Sequence, residues 1–190
     1  MAYYKHVGLI GKARSGKDTV AKRLGERWAY TRVAFADPLK EMALDLDPLI
    51  PTTPGIWVRL STLVRDTGWE YAKDTYPEVR RLLQRMGQTV RRQDAGFWID
   101  AALSKVDVAD SWNLPVVVTD VRYENEAQAL LNRGFALIRV VRPDAGLTDG
   151  NEGHESEIAL ESYATALTIG NTGSLADLNN IVDHLLLPRR

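Results

Sequence analysis

The chain contains no cysteine. Disulfides, thiolate metal sites and cysteine nucleophiles are therefore excluded, a composition that suits a reducing compartment. An excess of one charge is also missing. The formal net charge is −1 and the sequence pI is 6.3, so no global basic field recruits nucleic acid. No stretch approaches the roughly 18 consecutive apolar residues of a membrane span. Lys5 and His6 interrupt the early apolar stretch that a signal peptide would need. There are three histidines, and no serine–histidine–aspartate arrangement is visible around them. Repeats and low-complexity segments are absent too. What remains is 190 residues, 45% of them hydrophobic, enough for one domain with a sizeable core. We expect a soluble, cytoplasmic protein with no nucleic-acid or membrane partner.

The most informative stretch is Gly11-Lys12-Ala13-Arg14-Ser15-Gly16-Lys17-Asp18-Thr19, straight after the apolar run Val7-Gly8-Leu9-Ile10. A glycine, four residues, then Gly-Lys is the spacing of a phosphate loop (Walker A). Glycines let the backbone turn tightly, so that successive N–H groups converge on phosphate oxygens. A helix beginning near Gly16 adds its positive end. Lys17 reaches the outer phosphates as a mobile point charge. Asp18 stands where Ser or Thr usually contacts magnesium, with Thr19 next to it. A carboxylate beside phosphate needs a cation between them, so Asp18 either holds magnesium or caps the helix start.

Along the chain, strand and helix patterns alternate, which predicts a parallel sheet with helices on both faces. Strands are expected at 6–10, 31–35, 115–119, 136–141 and 164–169, where β-branched runs suit burial on both faces. Helices are expected at 16–28, 38–46, 77–91, 97–108, 124–133, 155–162 and 174–187, the last capped by Ser174. Segment 47–75 shows poor periodicity, and 143–154 reads as a long flexible loop.

Three further places carry candidate chemistry. In the helix at 77–91, Val79, Leu82, Leu83, Met86 and Val90 share one face. Arg81, Arg85, Gln88 and Arg92 share the other, flanked by Arg80, Gln84 and Arg91; that face is either merely solvated or an anion-binding wall. Asp120 ends a predicted buried strand, where ligands of open α/β sheets bind. It could hold magnesium through water or accept from a sugar hydroxyl. Arg122 could clamp a phosphate, and Glu126 either positions Arg122 or contacts substrate; a structural ion pair among the three is the alternative. Asp37-Pro38 reads as an ordinary helix start, with Asp37 as cap, and Phe97 and Trp98 either stack on a base or belong to the core.

The ordered blocks along the chain resemble a family. Gly-Lys-Ala-Arg-Ser-Gly-Lys-Asp-Thr (11–19) is followed by Phe-Ala-Asp-Pro-Leu-Lys (35–40), Arg-Arg-Leu-Leu-Gln-Arg-Met-Gly (80–87) and Phe-Trp (97–98). Then come Thr-Asp-Val-Arg-Tyr-Glu-Asn-Glu (119–126), Val-Val-Arg-Pro (140–143), His-Glu-Ser-Glu (154–157) and Asn-Thr-Gly-Ser-Leu (171–175). This set is similar to the bacteriophage deoxynucleoside monophosphate kinases, within the P-loop nucleoside monophosphate kinase group. Segment 47–75 matches least.

The resemblance implies a single three-layer P-loop α/β domain over 1–190, with a five-stranded parallel sheet in the order 2-3-1-4-5. An acceptor-binding insertion would cover about 47–108 and a lid about 143–155. It implies transfer of the γ-phosphoryl of ATP, with Mg2+, to a deoxynucleoside 5′-monophosphate. Catalytic roles fall to Lys17, Arg14, Arg122 and Arg142. ATP binding falls to Gly11, Ala13, Arg14, Ser15, Gly16, Lys17, Asp18 and Thr19, with Asn171 and Gly173 against the adenine. Acceptor binding falls to Asp37, Lys40, Arg65, Arg81, Gln84, Gln88, Arg91, Trp98, Asp120, Arg122, Glu126 and Glu157, and magnesium to Asp18, Thr19 and Asp120. His154 and Glu157 would anchor the lid or touch the acceptor. A homodimer is left open, and a phage-encoded protein would work in the host cytoplasm. The alternatives are another small-molecule kinase, such as a dephospho-coenzyme A kinase, and a nucleotide-sensing or nucleic-acid-binding ATPase.

Overall fold

Runs such as Val116-Val117-Val118 are apolar on both sides, so their backbone is satisfied only inside a sheet covered on both faces. The computed structural model describes residues 4–143, 145, 160 and 163–185. Its elements run β1 (Val7–Ile10), α1 (Lys17–Trp28), β2 (Thr31–Val33), α2 (Ala36–Leu46), β3 (Leu49–Thr53), β4 (Ile56–Arg59), α3 (Leu60–Thr67), α4 (Trp69–Thr75), α5 (Pro77–Gln93), α6 (Phe97–Ser111), β5 (Val116–Val118), α7 (Glu124–Asn132), β6 (Ala136–Val141), β7 (Leu167–Gly170) and α8 (Leu175–Asp183). The chain divides into two units, Met1–Phe35 with Ala102–Arg190, and Ala36–Ala101.

In the first unit, β2-β5-β1-β6-β7 form one sheet whose neighbours all pair in parallel. Counting only these five strands, the order is 2-3-1-4-5, as the resemblance implied. Val7 sits opposite Val117 and Ala136, and Ile138 opposite Leu9 and Leu167. Val20 and Leu24 of α1 and Leu178 and Val182 of α8 pack with Leu9, Val117 and Ile138 in one core cluster. Because the strands run the same way, Gly11, Asp120, Arg142 and Asn171 all follow carboxyl ends on one edge of the sheet.

The second unit holds what the sequence left unread. Segment 47–75 folds into the antiparallel hairpin β3–β4 and the short helices α3 and α4. Elements of four to eight residues give too few positions for a period to emerge. The turns are nonetheless marked: Gly55 follows Pro54, Gly68 separates the two helices, and both have φ +80°. Ala43, Ile50, Leu60, Leu63, Ala72, Val79 and Leu83 close a separate core.

Boundaries moved by a few residues elsewhere. α2 begins at Ala36, so Asp37 lies inside the first turn rather than capping it. The strands expected at 31–35 and 115–119 shorten to three residues each. α6 continues to Ser111. The last strand begins at Leu167 rather than at 164. Apart from Leu160, the helix expected at 155–162 lies outside the described residues. No helix among the described residues is long and apolar enough to cross a membrane.

Candidate active site

The loop after β1 is shaped by positions that exclude side chains. Gly11 has φ +153°, and a Cβ there would meet the Val140 carbonyl oxygen at 2.3 Å. Arg14 takes the left-handed region at φ +61°. The Ser15 amide donates to Lys12 O at 3.2 Å, closing the turn. Gly16, at φ +106°, is the residue from which α1 starts. The first amides of α1 have no carbonyl before them to bond, so this end of the helix favours an anion.

Lys17 Nζ donates to the carbonyls of Gly11 at 2.6 Å and Lys12 at 2.7 Å. The ammonium is therefore folded over the loop that it follows. Ser15 is 1% exposed, and its hydroxyl has no hydrogen-bond partner among the described residues.

Two hollows flank this loop. The first, about 350 Å³, is lined by Arg14, Gly16, Lys17, Asp18, Thr19 and Arg142 on one side, and by Asn171, Gly173, Leu175 and Leu178 on the other. Polar and cationic groups thus share a cleft with two leucines, an arrangement able to take a phosphate chain and the flat apolar ring joined to it. The second hollow, about 370 Å³, collects Lys12, Ser15, Arg122, Arg139 and Arg142 at the ends of β1 and β6. Arg142 lines both. Arg139 is occupied differently: its Nη2 donates to Leu160 O at 2.9 Å and Tyr163 O at 2.7 Å.

Asp120 and Glu126 line neither hollow. Asp120 Oδ1 accepts from the Phe35 amide at 2.8 Å, joining the chain beyond β5 to that beyond β2. Glu126 is 2% exposed, and Oε2 accepts from the amides of Arg122 at 2.9 Å and Tyr123 at 3.2 Å. Of the two roles expected of it, this geometry holds the backbone at Arg122, and its burial leaves no open side for substrate. No group of three or more His, Asp or Glu that could hold a metal occurs among the described residues. Magnesium does not require one, since it keeps waters and phosphate oxygens and takes one or two carboxylates. Asp18 and Thr19, beside Lys17 in the first hollow, are a donor set that fits such an ion.

The acceptor residues expected in the second unit are carried by three helices. Asp37 and Lys40 are on α2, Arg65 is on α3, and Arg81, Gln84, Gln88 and Arg91 are on α5. Lys40 Nζ stands 5.9 Å over the Trp69 ring. Arg65 Nε donates to Asp66 Oδ1 at 2.9 Å, and Arg81 pairs with Glu78. Trp98 is a correction to the stacking role. It is 4% exposed, its Nε1 donates to Gly87 O at 3.2 Å, and Phe97 packs edge-on against it, so it belongs to the core. Glu157, His154 and all of the expected lid except Pro143 and Ala145 lie outside the described residues.

Sequence reasoning missed Leu175 and Leu178 as walls of the first hollow. The available signal was an apolar residue opening a helix, and Leu175 remains 65% exposed. It also missed the side-chain contact of Asn171, whose Nδ2 donates to Ser15 O at 2.9 Å.

The sequence pattern of the deoxynucleotide monophosphate kinase family matches residues 64–182. Over 112 residues, 58% of this chain, it is 34% identical to the uncharacterized protein ORF77 of Ictalurid herpesvirus 1 (strain Auburn), covering 49% of that protein. Over 111 residues, 57% of this chain, it is 32% identical to the deoxynucleotide monophosphate kinase of Enterobacteria phage T4, covering 45% of it. The chain thus spans about half the length of these relatives. Among solved structures, a dephospho-CoA kinase from Campylobacter jejuni superposes with a TM-score of 0.52 at 14% identity, covering 95% of both chains. At that identity the likeness concerns the fold.

Proposed function

This chain belongs to the deoxynucleotide monophosphate kinase family, and from that premise we propose that it transfers the γ-phosphoryl of ATP to a deoxynucleoside 5′-monophosphate. The observation that carries the reading is the first hollow, where the loop, Lys17 and Arg142 face Gly173 and Leu175 across one cleft.

The acceptor phosphate is already a nucleophile, so no covalent enzyme intermediate is needed. Catalysis reduces to alignment and charge neutralisation. On binding, phosphate oxygens replace the carbonyls of Gly11 and Lys12 as partners of Lys17 Nζ. The loop amides from Ala13 to Thr19 hold the β- and γ-phosphates. Arg14, Arg122 and Arg142 offset the charge that spreads over the transferring group. Leu175 and Leu178 cover one face of the purine, with Gly173 and the backbone of Asn171 at its edge. Asp18 and Thr19, with Asp120, would hold magnesium, which neutralises phosphate charge when bound. Asp37, Lys40, Arg65, Arg81, Gln84, Gln88 and Arg91 would serve the acceptor, as would Glu157. Water has to be kept from the γ-phosphate, or ATP would be hydrolysed.

The test is ADP release from magnesium-ATP with dAMP, dGMP, dCMP, dTMP and their ribose counterparts, beside a control without acceptor. Stimulation by one or more deoxynucleotides, abolished by Lys17→Ala, is expected. Equal release without acceptor would refute the kinase reading and indicate an ATPase. Silence with every acceptor would refute this substrate class and direct the assay to dephospho-coenzyme A.

A further inference from the structure

A glycine-containing loop does not hold one shape by itself, because glycine visits several backbone regions at similar cost. Amides that must converge on phosphate therefore need an external hold. In this chain the β7–α8 turn reaches the loop at its most permissive point. We propose that Asn171 is a positioning residue, whose side-chain amide fixes the phosphate loop at Ser15-Gly16 and so sets affinity for the polyphosphate rather than for the base. The inference rests on the kinase reading above.

The geometry is specific. A carbonyl can only accept, so the group facing Ser15 O at 2.9 Å is the Nδ2 donor. The Asn171 amide itself donates to Val141 O at 2.7 Å, which anchors the residue to the end of β6. The tie falls where the loop becomes helix, beside Gly16 at φ +106°. A Cβ on Gly16 would come within 2.6 Å of Asn171 Nδ2. Glycine is therefore required twice at this position, once for its dihedral and once to admit the asparagine.

The same two helices are also fastened at a distance from the loop. Arg23 Nε donates to Asp183 Oδ1 at 2.7 Å, and Nη2 bonds the other carboxylate oxygen. Between the two ties, Leu24 of α1 and Leu178 and Val182 of α8 belong to one core cluster. The turn before α8 is thus backed by a packed helix pair, and Asn171 passes that rigidity to the loop. Resemblance alone directs Asn171 at adenine, whereas one of its N–H groups is committed to the phosphate loop.

Titration calorimetry on the full chain separates these roles. The ligands are magnesium-ATP, magnesium-GTP and the base-free magnesium-tripolyphosphate. The proteins are wild type, Asn171→Ala, Asn171→Asp and Asp183→Asn. Asn171→Asp keeps the size and sets a carboxylate against Ser15 O. Asp183→Asn loosens the helix pair away from the hollow and so measures what lost stability alone does. Loss of one hydrogen bond corresponds to about tenfold, so Asn171→Ala should weaken all three ligands by about the same factor of ten, Asn171→Asp by more, and Asp183→Asn by less than about twofold. Weaker ATP and GTP with unchanged tripolyphosphate would overturn the proposal and assign Asn171 to the base. Unchanged affinities in Asn171→Ala, or an equal loss in Asp183→Asn, would overturn it as well. A wild-type protein that binds neither ATP nor tripolyphosphate would refute the kinase reading, and the positioning role with it.

Discussion

Glu126→Ala tests how the chain holds Arg122 in place. Glu126 is 2% exposed, and one of its oxygens accepts from two consecutive amides, those of Arg122 and Tyr123. Truncation removes the shared acceptor from both amides at once and leaves two donors facing the space the side chain filled. Each stripped amide costs roughly 1–3 kcal/mol, so the pair comes to about 3 kcal/mol. For a chain of this length, each kcal/mol moves the midpoint by about 2–4 °C, so Tm should fall by about 6–12 °C. Glu126→Gln keeps a carbonyl oxygen in the same place and loses only the charge-assisted part, about 1 kcal/mol. Far-UV circular dichroism melts of the three proteins give the comparison, and ADP release at saturating substrates gives the functional counterpart. Turnover should survive in Glu126→Gln and fall in Glu126→Ala below the temperature at which either unfolds. A Tm for Glu126→Ala within about 2 °C of wild type would refute the account, because the two amides would then have found other partners.

Three further outcomes follow from the geometry. Gly11→Ala sets a Cβ 2.3 Å from Val140 O and should abolish ATP binding, whereas Gly134→Ala, at φ +78° with nothing within 4 Å, should cost only the left-handed strain of about 1–2 kcal/mol and leave turnover intact; equal effects would count against the close approach. Trp98→Phe removes the bond to Gly87 O and should lower stability by about 1 kcal/mol while leaving the ranking of the four deoxynucleotides unchanged; an altered ranking at unaltered stability would restore the stacking role. The Arg23 guanidinium, hydrogen-bonded to Asp183, holds that carboxyl below its ordinary value of 3.8. A depressed folded-state value contributes stability above the unfolded one and loses it as pH falls, so wild type should exceed Asp183→Asn in Tm near neutrality and converge with it below about pH 4; a constant gap down to pH 2.5, set well beneath the usual carboxylate range of about 3–4, would contradict the pairing.

What could be read from the sequence divides along the same line as the two units. The loop after β1 was legible because backbone conformation imposes residue type: Gly11 and Gly16 cannot carry a side chain where they stand. The strands of the first unit were legible because burial on both faces demands an unbroken apolar run, as in Val116–Val118. The hairpin and short helices of the second unit lacked such constraints. α3 and α4 have eight and seven residues and the hairpin strands five and four, and charged groups in this unit pair locally, Arg65 with Asp66 on α3 and Arg81 with Glu78 on the longer α5. An arginine on a short helix looks the same in sequence whether it awaits a phosphate or answers a neighbour. Trp98 failed for a related reason: an aromatic on an amphipathic helix carries no mark of which partner it meets, and here that partner is the Gly87 carbonyl.

The first unit also divides its polar groups by task. One set is engaged in holding main chain: Asp120 with the Phe35 amide, Glu126 with the Arg122 and Tyr123 amides, Arg139 with the Leu160 and Tyr163 carbonyls, Asn171 with Ser15 O. A different set, Arg14, Lys17, Asp18 and Arg142, lines the first hollow, where Asn171 is the one holding group that stands beside them. The separation has a physical reason. A group that both shapes the loop and binds phosphate would have to break the first contact to make the second, and the cost would be charged to affinity. Lys17 is the exception, since its ammonium lies on the carbonyls of Gly11 and Lys12. It can exchange carbonyl for phosphate oxygen without leaving a buried donor unpaired, because its three protons ride on a flexible stem. The residues whose carbonyls it releases, Gly11 and Lys12, line the second hollow, where solvent can take its place. The holding groups have no such freedom, so removing one of them should disturb the folded frame before it disturbs the chemistry, while removing Lys17 should do the reverse.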